Sequence, residues 1–415
     1  MKIFKFGGAS VKDVEGVKNV VRVLQNEGFE NTFVVISAMG KMTNAFEKIV
    51  YSYYHKNNSL EADIKFVRNF HLEISTKLFE DKSHTIYIEI EKLFGQLSGF
   101  LVTNKSTDYN FIYDQIVGYG ELLSTKIISA FLTKKNIETN WIDVRDYIKT
   151  DSIYREATIN WELTSKNIQQ LNTNKLCITQ GFLGSNSKNK TTTLGREGSD
   201  YTAAIFGYCL NAKSITIWKD VAGVLNADPR YFKETQLLEQ ISYSEAIEMA
   251  FYGASVIHPK TLKPLENKNI PLNVRSFYNL EKTGTVVSKG INLVPKIPCF
   301  ILKENQILVS ISALDFSFMV ENNLSDIFKI LHTHKLKVNL IQNSALSFSV
   351  CIEDNFNNFQ QFIDDIQFKY HITSVKNVSL YTIRHATKLA VTNLEKNRKV
   401  LLKQVTKGTV QLVMQ

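Results

Sequence analysis

The residues best placed by type and spacing to do chemistry lie in one stretch, Thr191 to Arg230. In it Gly195 and Gly198 bracket Arg196 and Glu197, and Ser199 and Asp200 lead into a run from Tyr201 to Leu210 that predicts a helix. A helix starting this way presents unpaired N–H groups and the positive end of its dipole at Gly198–Ser199, where an anion is stabilised. Ser199 or Asp200 serves equally well as an ordinary N-cap. A β-rich run, Ser214–Trp218, then ends in Lys219 and Asp220 and enters a loop through Gly223, Asp228, Pro229 and Arg230. Polar residues gathered where strands end are where open α/β sheets hold ligands.

Other segments predict the elements that position such residues. Lys2–Phe6 reads as a short strand that Gly7 and Gly8 turn into a helix from about Asp13 to Asn26. Lys5 near the strand end, with two glycines after it, makes a phosphate cradle, although a glycine pair alone reads as a tight turn. It is not a P-loop, which needs GxxxxGK[ST]. Thr32–Ile36 is a second buried strand, followed by Ser37 and by Thr43, a candidate cap for the next helix. Leu60 to Leu101 has helical periodicity and reads as an insert without chemistry. Glu121 falls on the inward side of a helix predicted over Asp114 to Lys134, so its carboxylate needs a partner, such as an internal cation. Leu176–Thr179 delivers Gly181 and Phe182 to the same sheet end. Nothing near His258 forms a nucleophile–base pair, and it reads as structural.

Leu293–Pro298 reads as a linker. Beyond it, elements at Ile307–Ser312, Leu324–His334, Lys337–Gln342, Ser347–Ile352, Asn355–Phe368 and Ile372–Val378 follow the βαββαβ order of a ferredoxin-like unit. A shorter unit follows: strand Leu380–His385, helix Thr387–Glu395 and a hairpin of Val400–Val405 with Thr409–Met414.

With 415 residues, 44% of them hydrophobic, the chain is long enough for two or three domains. It has no apolar run of transmembrane length and no signal-peptide pattern at its start, so a cytoplasmic location is expected. Cys177, Cys209, Cys299 and Cys351 are scattered without CxxC spacing and read as reduced core thiols, so no metal site is expected. The 49 basic against 40 acidic groups give +9, but the lysines are dispersed among asparagines, which argues for anionic substrates rather than nucleic acid.

GREGSDYTAA with downstream DVAGV and ADPR resembles the aspartokinases, as does the opening KFGGAS (Lys5 to Ser10). SAMGKMTN, YGELLS, ITQGFLG and IHPKTL continue the likeness in the family's order. The resemblance implies an α/β fold: an amino-acid-kinase αβα sandwich with a mainly parallel sheet over residues 1–292, then ferredoxin-like ACT units at 299–378 and 379–415. It implies transfer of the γ-phosphoryl group of ATP, with Mg²⁺ carried by the nucleotide, to the side-chain carboxylate of L-aspartate, and a homodimer formed through the ACT units. Without a dinucleotide GxGxxG, a fused homoserine dehydrogenase is not expected.

The family's pattern assigns Lys5, Arg196 and Asp200 to catalysis. It assigns Ser37, Thr43, Glu121, Phe182, Arg196, Glu197, Gly198, Ser199 and Asp200 to aspartate, with Arg196 on the α-carboxylate and Glu121 on the α-ammonium. Lys5, Gly7, Gly8, Lys219, Asp220, Leu225, Arg230, Ser255 and Val256 fall to the nucleotide. Departures cluster there: Ala9 replaces threonine, Lys219 threonine, Leu225 tyrosine and Ser255 lysine, while Glu197 stands where glycine is usual. In lysine-sensitive relatives the regulatory site carries an aspartate where this chain has Asn339, a glycine at Asn322 and a glutamate at Ala345. These differences imply weak or absent inhibition by lysine. Two other readings stand beside the aspartokinase one, another acyl-phosphate-forming amino-acid kinase and a catalytically silent amino-acid-binding regulator.

Overall fold

The structure, a computed structural model, describes residues 1–254, 257–315 and 317–415. It divides into two compact units. The larger takes Met1–Val224 and most of the chain from Leu237 to Pro295; the smaller takes Lys296–Gln415, the loop Leu225–Gln236 and a short piece beginning at Glu248.

The larger unit is built on an eight-stranded sheet, ordered Thr139–Trp141, Leu176–Gln180, Thr32–Ile36, Lys2–Phe6, Ser214–Lys219, Leu272–Ser276, Thr285–Ser288, Gln240–Ser242. All pairings are parallel except that of Thr285–Ser288 with Leu272–Ser276. Strands covered on both faces need apolar residues on both, which is why Thr32–Ile36 is buried along its whole length. Successive side chains still alternate between the faces. Phe4, Phe6, Val34 and Ile36 join one large core with the helices Val14–Glu27 and Tyr119–Lys134. On the other face Phe33 stacks on Phe206 of the helix Gly198–Cys209, with ring centroids 4.4 Å apart. Lys5 alternates with Phe4 and Phe6, so it projects to the face that this helix covers.

Several expected elements differ in extent. The helix expected over Asp114 to Lys134 is two helices, Tyr109–Val117 and Tyr119–Lys134, that meet at Gly118. A Cβ at Gly118 would press on the Leu183 side chain at 3.0 Å, so the junction is tightly packed against that residue. The Leu60–Leu101 insert is the pair Leu60–Leu78 and Ile86–Thr103, and its Val67, Ile74, Ile90 and Leu97 belong to the main core.

The smaller unit carries a six-stranded antiparallel sheet, ordered Lys337–Asn343, Ser347–Glu353, Cys299–Ala313, Tyr370–Arg384, Thr409–Met414, Val400–Thr406. Its two central strands are 15 residues long: the first extends well beyond the expected Ile307–Ser312, and the second joins Ile372–Val378 and Leu380–His385, which the sequence predicts as separate strands. In the first the polar run Lys303–Gln306 breaks the alternation, because the register shifts there and Asn305 takes a left-handed conformation at φ 56°. The Cys299–Lys303 half pairs with Leu380–Arg384, so the short C-terminal unit is completed by a strand from the far side of the ferredoxin-like element.

Candidate active site

Four adjacent parallel strands deliver their C-terminal ends to one cavity of about 320 Å³. Lys2–Phe6 brings Lys5 and Gly8; Thr32–Ile36 brings Ser37, Ala38, Gly40 and Thr43; Leu176–Gln180 brings Phe182; Ser214–Lys219 brings Lys219. Glu121 and Gly195–Asp200, Arg196 excepted, complete the lining. Backbone hydrogen bonds stitch the loops together. Ser37 N–H donates to Phe6 C=O at 3.1 Å, Gly181 N–H to Ile36 C=O at 2.9 Å and Gly40 N–H to Gly8 C=O at 2.9 Å. A Cβ on Gly8 would lie 2.8 and 2.9 Å from the carbonyl oxygens of Gly40 and Ala38, closer than any side chain tolerates. Glycine at this point is a packing requirement, and it brings backbone to the cavity wall.

Asp200, in the first turn of the helix, is held by two lysines. Lys5 Nζ lies 2.6 Å from Oδ1, with side chains only 9% and 3% exposed, and Lys219 Nζ lies 3.7 Å from Oδ2. Burial works against the charge on Asp200, but the ammonium groups of Lys5 and then Lys219 outweigh it and hold its carboxyl below the ordinary range. The N-cap is neither Ser199 nor Asp200. It is Glu197, in a left-handed conformation at φ 53° with no side-chain cap. That conformation explains why glycine suits the position, since an L-residue there costs about 1–2 kcal/mol. Phe182 is left-handed as well, at φ 72°. It is fixed from both sides, its N–H donating to Thr202 Oγ1 at 2.9 Å and its C=O accepting from Leu194 N–H at 2.9 Å. Two residues in a conformation that costs free energy thus line the same cavity.

Glu121 shows the opposite electrostatics. It is fully buried, and that burial pushes its carboxyl up to about 8, against hydrogen bonds from the backbone N–H of Ala38 and its own N–H and the more distant charge of Lys5. Among the described residues no ion pair satisfies it, and its Oε2 has no hydrogen-bond partner there. The cavity thus has one wall with charges already matched and one with a carboxyl that lacks a cation.

The expected site residues divide accordingly. Lys5, Gly8, Ser37, Thr43, Glu121, Phe182, Glu197, Gly198, Ser199, Asp200 and Lys219 line the cavity, and Gly7 adjoins it, its would-be Cβ 3.3 Å from Lys5 Nζ. Arg196 and Asp220 are exposed and outside the lining. Leu225 and Arg230 belong to the smaller unit, where Arg230 is exposed and pairs with Asp228 at 2.6 Å. Ser255 and Val256 lie outside the described residues. Ala38 and Gly40 line the cavity without having been assigned a site role, and so does Gly195, which the sequence marks only as a glycine bracketing Arg196; the positive φ of both glycines, 54° and 78°, was foreshadowed only by their place in loops after strands. His258 caps the helix Pro259–Lys268 by accepting from Lys260 N–H, a structural role.

A sequence profile described as the amino acid kinase family matches residues 1–276. The lysine-sensitive aspartokinase 3 of Escherichia coli K12 is 31% identical over 351 residues, 82% of this chain and 76% of that enzyme. A bifunctional aspartokinase/homoserine dehydrogenase of Arabidopsis thaliana is 30% identical over 341 residues, but the chain spans only 37% of that enzyme's length. Among solved structures, E. coli aspartokinase III with aspartate and ADP superposes with a TM-score of 0.82 at 26% identity, covering 100% of this chain and 96% of the other. The same enzyme with lysine and aspartate gives 0.82 at 27% identity, covering 100% and 95%.

Proposed function

The chain belongs to the aspartokinases of the amino acid kinase family, and on that premise we propose that it transfers the γ-phosphoryl group of ATP to the side-chain carboxylate of L-aspartate. The products are 4-phospho-L-aspartate and ADP, the first step towards lysine, threonine and methionine. The observation that carries the proposal is the Lys5–Asp200–Lys219 cluster beside the N-terminus of the Gly198–Cys209 helix.

A carboxylate is already an anionic nucleophile, so no general base is needed. The obstacle is bringing it against a phosphate, and positive charge with alignment removes it. Lys5, fixed by Asp200, sits where the two anions meet and stabilises the charge between them. Lys219 and the N–H groups of the helix N-terminus add to that charge. Glu121 receives the α-ammonium, Ser37, Thr43 and Phe182 hold the rest of the amino acid, and Arg196 folds its planar fork onto the α-carboxylate. Gly7 and Gly8 let backbone approach the phosphates, and Asp220 contacts the nucleotide beyond them. Mg²⁺ on those phosphates supplies further positive charge. Asp200 is committed to two lysines and, among the described residues, no three His, Cys, Asp or Glu side chains converge as ligands, so the ion is assigned to the nucleotide.

No described helix is long and apolar enough to cross a membrane, and a cytoplasmic location suits an ATP-consuming biosynthetic enzyme. Lys337–Asn343 and Val400–Thr406 are the edges of the C-terminal sheet, and pairing of such edges would make a homodimer, which mass in solution tests. Aspartate-dependent hydroxamate formation with ATP, absent with glutamate, supports the function; ADP release without hydroxamate counts against it.

A further inference from the structure

Asp114 is a buried carboxylate outside the cavity lining, and the reaction as described makes no use of it. It sits in the helix Tyr109–Val117 with no exposed surface, and among the described residues it forms no ion pair. The nearby Arg155 turns its guanidinium elsewhere, to Glu47 at 3.6 Å and over the Tyr113 ring. A carboxylate buried in this way depends on hydrogen bonds. Burial pushes it up to about 6 even with those it accepts from Arg155 and Thr193.

Those bonds come from two separate segments that meet at the cavity. Arg155 N–H points between the two oxygens, 3.1 Å from Oδ1 and 3.0 Å from Oδ2. Thr193 donates twice, its N–H to Oδ2 at 2.9 Å and its hydroxyl to Oδ1 at 2.8 Å. The segments are also joined to each other, since Ala157 N–H donates to Thr193 C=O at 2.9 Å. Two residues beyond Thr193 a Cβ on Gly195 would lie 3.3 Å from the Arg155 carbonyl oxygen, and Gly195 C=O accepts from Gly198 N–H at 3.0 Å. Gly198 opens the helix that carries Ser199 and Asp200. A shift at Thr193 therefore passes through Gly195 to the helix N-terminus.

We infer that Asp114 is a positioning residue, which by anchoring Thr193 and Arg155 sets the Gly195–Ser199 wall against the acceptor. The inference rests on the reading of the cavity as the aspartate site. Only a group with two acceptor positions meets all three donors, and an apolar residue would leave two backbone N–H groups buried and unmet. Asparagine can keep the set. Its oxygen, in place of Oδ2, accepts from both N–H groups, and its nitrogen, in place of Oδ1, donates to a Thr193 hydroxyl that turns to accept.

Asp114→Ala, Asp114→Asn and Thr193→Val test it, assayed well below their melting temperatures. Asp114→Ala should raise the KM for aspartate and lower kcat, with kcat/KM down roughly 10- to 100-fold, as expected for a reacting group misplaced by a fraction of an ångström. Its KM for ATP should stay within about twofold, because Lys5, Gly8 and Lys219 come from other strands. Asp114→Asn should recover kcat/KM to within about threefold of the parent, and Thr193→Val, which loses the hydroxyl alone, should fall between. A carboxylate with only a structural role would lower the melting temperature and leave the kinetics of the folded enzyme unchanged. If Asp114→Ala does not fold, Thr193→Val decides. With a parent that phosphorylates aspartate, the inference is overturned by parental kcat/KM in the folded alanine or valine variant, by a KM for ATP that rises as much as that for aspartate, or by an asparagine variant as impaired as the alanine one. The functional reading then stands. A parent that phosphorylates no aspartate overturns that reading and this inference together.

Discussion

The two walls of the cavity solve the burial of charge in different ways. On one, Asp200 is only 2% exposed, yet two lysines keep it ionised, so this wall is complete before any ligand arrives. On the other, Glu121 is equally buried and lacks a cation, so its proton is held up to about 8. The difference teaches that the first wall is preorganised for charge that develops during reaction, while the second pays its desolvation until a ligand's cation relieves it.

Removing Lys5 breaks the complete wall and should have the largest effect. Lys5→Ala is expected to lower kcat about 100-fold or more, some 3 kcal/mol of barrier, in steady-state assays. It also leaves Asp200 with only the more distant Lys219, so the melting temperature should fall. Adding Asp200→Asn should restore stability without restoring activity, which separates the two roles.

The incomplete wall makes a pH prediction. The ordinary value for Glu121 is 4.5 and the folded value about 8, so between these the native protein holds a proton that the unfolded chain has released. The contribution of this carboxyl to stability is therefore full below about 4.5 and is lost as pH rises to about 8. Melting curves of the parent minus those of Glu121→Gln should show that slope. Aspartate, whose ammonium favours the ionised form, should bind up to roughly tenfold more tightly per pH unit as pH rises towards about 8, with a proton released on binding. Calorimetry in buffers of different ionisation enthalpy reads that proton directly.

Gly8→Ala probes the backbone under both walls. The new methyl would meet two carbonyl oxygens, so stability should drop by about 1–3 kcal/mol in denaturant titrations, and the KM for ATP should rise. Lys219→Thr should act more gently, raising the KM for ATP about twofold to fivefold, because this lysine is partly exposed and is the more distant partner of Asp200. Smallest of all should be the response to lysine. Asn339 accepts from Lys303 Nζ at 2.8 Å and donates to Gln306 Oε1 at 2.7 Å, so its amide is already engaged inside the protein. Submillimolar lysine should leave activity nearly unchanged in the same assay.

Much of this architecture was legible because buried parallel strands write continuous apolar runs, and glycine-rich loops mark where they end. Lys2–Phe6, Thr32–Ile36 and Leu176–Gln180 were visible in that way, and with them Lys5, Ser37 and Phe182. Strands of three or four residues such as Thr139–Trp141 and Thr285–Ser288 carry too little pattern to be seen. The Lys5–Asp200 pair joins residues nearly two hundred positions apart, and nothing in local spacing announces it. The bulge at Lys303–Gln306 hid half of a long strand, because its polar residues look like a loop while the ladder resumes beyond them. The left-handed backbone of Glu197 was disguised by a side chain that ordinarily avoids it.

Phosphorus NMR of the protein mixed with ATP, Mg²⁺ and L-aspartate tests the central claim most directly. The account predicts an acyl-phosphate signal that depends on aspartate and grows one for one with ADP. Inorganic phosphate appearing with ADP from the outset, or ATP left intact while aspartate is present in excess, would contradict it.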